Sequence, residues 1–184
     1  MKLTIGTLCL SLGWAAGGVL VAAGQPEGLV LHYSFEGAAA DAMDSSGYGN
    51  HGTLVETHRV PGVAGRGVGL DGTVSCIRTP SSVSLMPEAF TLAAWVYLER
   101  TPSDVYPLIF KRNRGYNDNE DYSLQLTPEG RARLVLGNGR WQRILDSSVK
   151  LESGRWHHVA ATFAQPRMAV YVDGRLAATA PYDQ

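Results

Sequence analysis

An all-β, antiparallel domain is the fold class this sequence predicts, and three observations predict it. Residues 154–180 hold three runs rich in Val, Thr, Tyr, Phe and small apolar residues, separated by a Pro-containing turn at 164–167 and by Asp173-Gly174. Runs of β-formers joined by turns this short are consecutive antiparallel strands, a meander. Asp-Gly suits a type I′ turn, because both central residues tolerate positive φ and the twist of that turn matches the strands it joins. The rest of the chain repeats the pattern at a spacing of about 8–12 residues, which describes a sandwich or barrel. Finally, no capped amphipathic stretch of helical length occurs in residues 25–184.

Taken in order, residues 29–35 carry β-formers with partial alternation and read as the first strand of the domain. Residues 38–50 lose periodicity and gather Asp, Ser, Gly and Asn, so they form a loop. A short strand is expected at 52–55, a connection at 60–66, and across 67–79 either a strand pair or one long strand interrupted at Asp71-Gly72. Residues 90–98 form a nearly continuous apolar run of strand length, as expected for a strand covered on both faces. Strands at 106–111 and 121–126 flank a polar loop at 112–120. Residues 131–136 alternate Arg with apolar residues, the pattern of a strand with one wet face. A strand at 141–145 and a connection at 147–153 lead into the meander.

A chain of 184 residues suits a single domain with its own core. The formal net charge of −1 provides no field that would draw in nucleic acid or an anionic membrane. Residues 1–24 are set apart: Lys2 is a positive start, residues 3–21 are uncharged and mostly apolar, and Ala22-Ala23-Gly24 offers small residues at an exit. This is the pattern of a cleaved signal peptide, which places residues 25–184 in the secreted, periplasmic or cell-surface compartment and off the membrane after cleavage. Cys9 leaves with that segment, so Cys76 has no intramolecular partner and reads as a small apolar strand residue.

Several stretches then resemble one family. Asp44-Ser-Ser-Gly-Tyr-Gly-Asn-His-Gly52 is similar to a loop of the laminin-G-like jelly-roll domains in the concanavalin A-like lectin/glucanase superfamily. Gly69-Leu-Asp-Gly72, Phe90-Thr-Leu-Ala-Ala-Trp-Val96, and Trp156-His-His-Val-Ala160 with Tyr171-Val-Asp-Gly174 resemble its next landmarks, in the same order. The resemblance implies an antiparallel two-sheet jelly-roll sandwich over residues 25–184. It also implies late strands beyond the Asp-Gly hairpin that pair beside the first one, so that residues 29–35 or a neighbour would present an unpaired edge where those strands are missing.

For chemistry, the glucanases of the superfamily carry Glu-x-Asp-x-Glu on one strand, which supplies the two carboxylates that glycoside hydrolysis needs. That spacing is absent, and the acidic cluster Asp118-Asn-Glu-Asp121 reads as a solvated loop. His157 and His158 are adjacent on a strand and face opposite ways, so one is expected buried and hydrogen-bonded and the other outward. The expected function is a secreted, non-catalytic binding module for a polysaccharide or a glycoprotein surface. The alternative is an accessory fragment of a larger secreted glycoside hydrolase or adhesin. Arg112, Tyr116, Asn117, Tyr122 and Trp141 lie in or beside loops, where aromatic faces and polar groups could hold a sugar. Trp95 and Trp156 are expected in the core. Asp44 and Asn50 offer oxygens to a calcium ion, which related domains often carry; a plain turn in which both bond the backbone is the competing reading.

Overall fold

The computed structural model describes residues 2–11, 28–37, 41–112, 120–137 and 141–182. Their strands are β1 (Leu3–Ser11), β2 (Leu29–Tyr33), β3 (Asp41–Ala42), β4 (Gly52–Val55), β5 (His58–Pro61), β6 (Arg66–Leu70), β7 (Cys76–Arg78) and β8 (Phe90–Leu98). They continue as β9 (Tyr106–Arg112), β10 (Glu120–Leu126), β11 (Arg131–Gly137), β12 (Gln142–Lys150), β13 (Trp156–Ala164), β14 (Arg167–Val172) and β15 (Arg175–Pro181). All pairings are antiparallel. A large sheet has the order β15-β14-β13-β8-β1-β6-β5, with β2 also on β1; a small sheet runs β12-β11-β10-β9; and β3-β4-β7 form a third.

Alternation along the strands builds the core. In β8, Phe90, Leu92, Ala94, Val96 and Leu98 are buried, while the residues between them are half-buried on the outer face. The inward positions of β13 and β14 pack with them and meet Leu124, Leu126, Leu134 and Leu136 of the small sheet. Leu124 is fully enclosed, so Leu124→Ala is expected to cost about 3–5 kcal/mol from lost transfer and a residual cavity, measurable by urea denaturation. At the last hairpin, Asp173 and Gly174 have φ of 50° and 75°, the positive pair that a type I′ turn requires.

Three features differ from the sequence reading. The segment read as a targeting leader supplies β1, which lies between β8 on one side and β6 and β2 on the other. Consequently β2, one of the strands expected to present an unpaired edge, is paired with β1 along one side. Leu3 and Ile5 are buried: an uncharged run with β-branched members serves a sheet interior as readily as a leader. Residues 147–150 continue β12 rather than forming a connection, and β5 occupies part of the expected connection at 60–66.

Candidate carbohydrate-binding face

Asp44 organises the loop that precedes β4. Its Oδ1 accepts the backbone N–H groups of His32 and Ser46, each at 2.9 Å, and its Oδ2 accepts the Ser46 hydroxyl at 2.8 Å and the Asn50 N–H at 2.9 Å. Burial on its own would raise this carboxyl, but the donors from Ser46, His32 and Asn50 outweigh it and hold the group below the ordinary carboxylate range. Asn50 is likewise engaged: its amide donates to Val30 O at 2.7 Å and Ser84 Oγ at 3.0 Å, and its Oδ1 accepts the Ser82 hydroxyl at 2.6 Å. Gly47 and Gly49 have φ of 93° and 72°, which the turns demand. His51 Nδ1 accepts the Asp44 N–H at 3.0 Å, and a Cβ at Gly52 would lie 2.7 Å from Ile77 and 2.8 Å from the Tyr33 hydroxyl. The residues of this motif thus tie β2, β4, β7 and the short turn at Val83–Leu85 together. Among the described residues no cluster of three or more His, Cys, Asp or Glu is arranged to hold a metal ion.

The adjacent histidines divide as expected. His157 is buried; its Nδ1 lies 2.9 Å from Asp173 Oδ2 and its Nε2 accepts the Glu152 N–H at 3.0 Å. Nε2 also lies 3.2 Å from the Glu152 carbonyl oxygen, so the ring is held between the Glu152 backbone and the Asp173 carboxylate. Asp173 Oδ1 also accepts the His158 N–H at 2.9 Å. The turn aspartate therefore both shapes the hairpin and fixes the buried ring.

The loop-derived ligand residues separate. Arg112 ends β9, exposed, on an edge of the small sheet. Trp141 precedes β12 on the opposite edge, three strand spacings or about 14 Å across. Trp141 packs on Tyr182 with ring centroids 5.7 Å apart, beneath the Arg143 guanidinium at 5.2 Å. Tyr116 and Asn117 lie outside the described residues. Tyr122 must be corrected: it is 6% exposed, stacks on Phe90 at 4.8 Å, and donates its hydroxyl to Leu85 O at 3.0 Å. Burial, with the neighbouring Asp121 charge, pushes its phenol up to about 12. The reason is parity, since Tyr122, Leu124 and Leu126 share the inward face of β10. Tyr122→Phe is expected to cost about 1 kcal/mol of stability and to leave ligand binding unchanged, as thermal melts and binding titrations would show.

Aromatic side chains gather instead on the outer face of the large sheet. Trp95 and Tyr97 project from β8, His158 and Trp156 from β13, and Tyr171 from β14, all half-buried. This corrects the expected core placement of both tryptophans. Register sets Tyr97 opposite Trp156 and Trp95 opposite His158, and the rings touch at centroid distances of 5.7 Å and 5.2 Å. On the flank, Gly6 and Gly69 keep the surface low; a Cβ at Gly69 would lie 2.6 Å from the His58 ring. Burial lowers the His158 pKa, partly countered by Asp173, so the ring is neutral at pH 7. The small sheet offers a contrast, with the bidentate pair Arg133–Asp146 at 2.6 and 2.8 Å on its outer face, the polar surface expected of a wet sheet. A band of indole, phenol and imidazole on a sheet face is suited to stacking the apolar faces of neutral rings while its N–H and O–H groups bond their hydroxyls.

A comparison with curated protein sequences returns no match. Domain 4 of AbnA, a GH43 extracellular arabinanase from Geobacillus stearothermophilus, solved in complex with arabinotriose, superposes with a TM-score of 0.61 at 22% identity, covering 84% of this chain and 76% of that one. An S-layer domain-containing protein from Clostridium thermocellum (residues 221–444) aligns at a TM-score of 0.49 and 18% identity, over 82% of this chain and 71% of that one. The first likeness agrees with the two-sheet jelly-roll architecture. The family described as the concanavalin A-like lectin/glucanases superfamily matches residues 71–184, well over half of the sequence, and the chain belongs to it.

Proposed function

We propose that this protein is a non-catalytic module that binds neutral carbohydrate on the aromatic face of its large sheet and works outside the cell. The observation that carries the reading is the band Trp95, Tyr97, Trp156, His158 and Tyr171, placed where an antiparallel sheet ordinarily presents polar residues to water. Membership of a superfamily of lectins and glucanases supports it. The structural neighbour, an extracellular arabinanase domain solved with arabinotriose, makes arabino-oligosaccharides the first ligands to try. That neighbour's extracellular origin supports the extracellular assignment.

A catalytic role has no comparable support. The Glu-x-Asp-x-Glu spacing that supplies paired carboxylates to the glucanases of the superfamily is absent from the sequence. The Asp44 loop is read as a structural hub without a calcium ion, since both carboxylate oxygens and the Asn50 amide are already engaged within the fold.

Affinity electrophoresis in gels containing arabinan, xylan, β-glucan or mannan tests the reading. The wild type is expected to be retarded by at least one polysaccharide. Trp95→Ala should lose about 2 kcal/mol of binding, about thirtyfold, the scale of a stacked aromatic anchor. Retardation that survives Trp95→Ala but vanishes in Trp141→Ala would move the site to the far edge of the small sheet. Release of reducing sugar by the purified chain would overturn the non-catalytic assignment.

A further inference from the structure

The position of β1 in the ladder has a consequence for binding that is independent of any carbohydrate. Among the described strands, β1 is the sole hydrogen-bonded link between the β15-β14-β13-β8 half of the large sheet and both β6-β5 and β2. Residues 3–5 pair with β8 on one side and with β6 on the other; residues 8–11 pair with β8 and with β2. Lifting out this one segment would leave three separate strand edges with unpaired N–H and C=O groups facing one gap. The same residues open the uncharged run whose composition reads as a leader, and they cannot lie in a membrane or be cleaved away while lying in the sheet.

We propose that the gap between β8 and the β6/β2 pair is a strand-acceptor site, filled here by Leu3–Ser11 and able to take an extended apolar peptide in its place. The walls specify the ligand. It runs antiparallel to β8. It carries large apolar side chains at the positions of Leu3 and Ile5, which are 3% and 2% exposed between the sheets. It has glycine at the position of Gly6, where a Cβ would stand 3.0 Å from Trp95 Cβ, 3.4 Å from the Trp156 ring and 3.6 Å from Val63. Backbone hydrogen bonds on both sides supply affinity, and the two inward pockets with the glycine supply selectivity, as in other strand additions. Because Gly6 lies beneath Trp156, occupancy of the site also shapes the edge of the aromatic face.

The full chain tests this with a protease site inserted in the segment that joins β1 to β2, so that cleavage leaves the strand held without a covalent link. A fluorescent peptide of residues 2–11 is then added in excess. The cut chain is expected to keep its N-terminal piece through gel filtration and to exchange it for one labelled peptide per domain. Peptides with Gly6→Leu or Ile5→Asp should bind at least tenfold more weakly. A cut chain that sheds the piece with its melting temperature unchanged and ignores the peptide would overturn the proposal.

Discussion

Asp44→Ala is expected to lower stability by about 3–5 kcal/mol, one of the two largest effects of any single change outside the apolar core. The side chain is 8% exposed and accepts four hydrogen bonds. Each buried donor left without a partner costs about 1–3 kcal/mol, and entry of water into the opened loop recovers part of the sum. Asp44→Asn separates chemistry from shape. Its amide is nearly the same size, yet whichever way it turns, an NH₂ faces two donors, so the loss should approach that of Ala. A near-neutral Asn variant, in urea denaturation, would show that the loop needs only bulk. Chelation of divalent ions should leave the wild-type melt in place; a large drop with EDTA would return Asp44 and Asn50 to the role of ion ligands.

His157→Ala is expected to cost about 3–4 kcal/mol. It empties a fully buried site and removes the ring's hydrogen bonds to the Glu152 N–H and the Asp173 carboxylate, both of which can turn to water, so the cavity dominates the loss. Burial would raise Asp173, but hydrogen bonds from His157 and the His158 N–H hold it below its unfolded value of 3.8. A carboxyl whose folded pKa is lowered contributes in full above the unfolded value and loses that contribution as the pH falls through the folded one. Asp44 shares this sign. Stability should therefore decline gently as the pH falls through 6.5, where His158 protonates more readily unfolded than folded, and fall steeply below about 4 as the two carboxylates are protonated. The His157→Ala variant should show a shallower acid limb, because Asp173 has lost the donor that depressed it. An acid limb of unchanged slope would mean the pair contributes nothing at low pH.

Much of this architecture was legible from local patterns. The meander of β13, β14 and β15 follows from its β-formers and from Asp173-Gly174, a turn whose geometry depends on two residues alone. The Asp44 loop was legible as a motif but not as a hub, because its partners His32, Ser82 and Ser84 are distant in sequence. Tyr122 was misplaced by nearness to a loop, although its alternation with Leu124 and Leu126 already pointed inward. Trp95 and Trp156 were misplaced by size: each has the parity opposite to the buried Val96 and His157 beside it, and period alone puts them outside. The strand β1 was out of reach, since an uncharged apolar run has the same composition in a leader and in a central strand. Only the long-range pairing with β8 distinguishes the two uses.

The aromatic face itself is best tested by tryptophan fluorescence during titration with arabinotriose and with xylo-, manno- and gluco-oligosaccharides at neutral pH, where His158 is uncharged. The account predicts a saturable change with at least one of these sugars, retained in Trp141→Ala, weakened about thirtyfold in Trp95→Ala, and accompanied by no hydrolysis of the ligand. Saturation that persists unaltered in Trp95→Ala and Trp156→Ala, or no response to any sugar in the series, would contradict it.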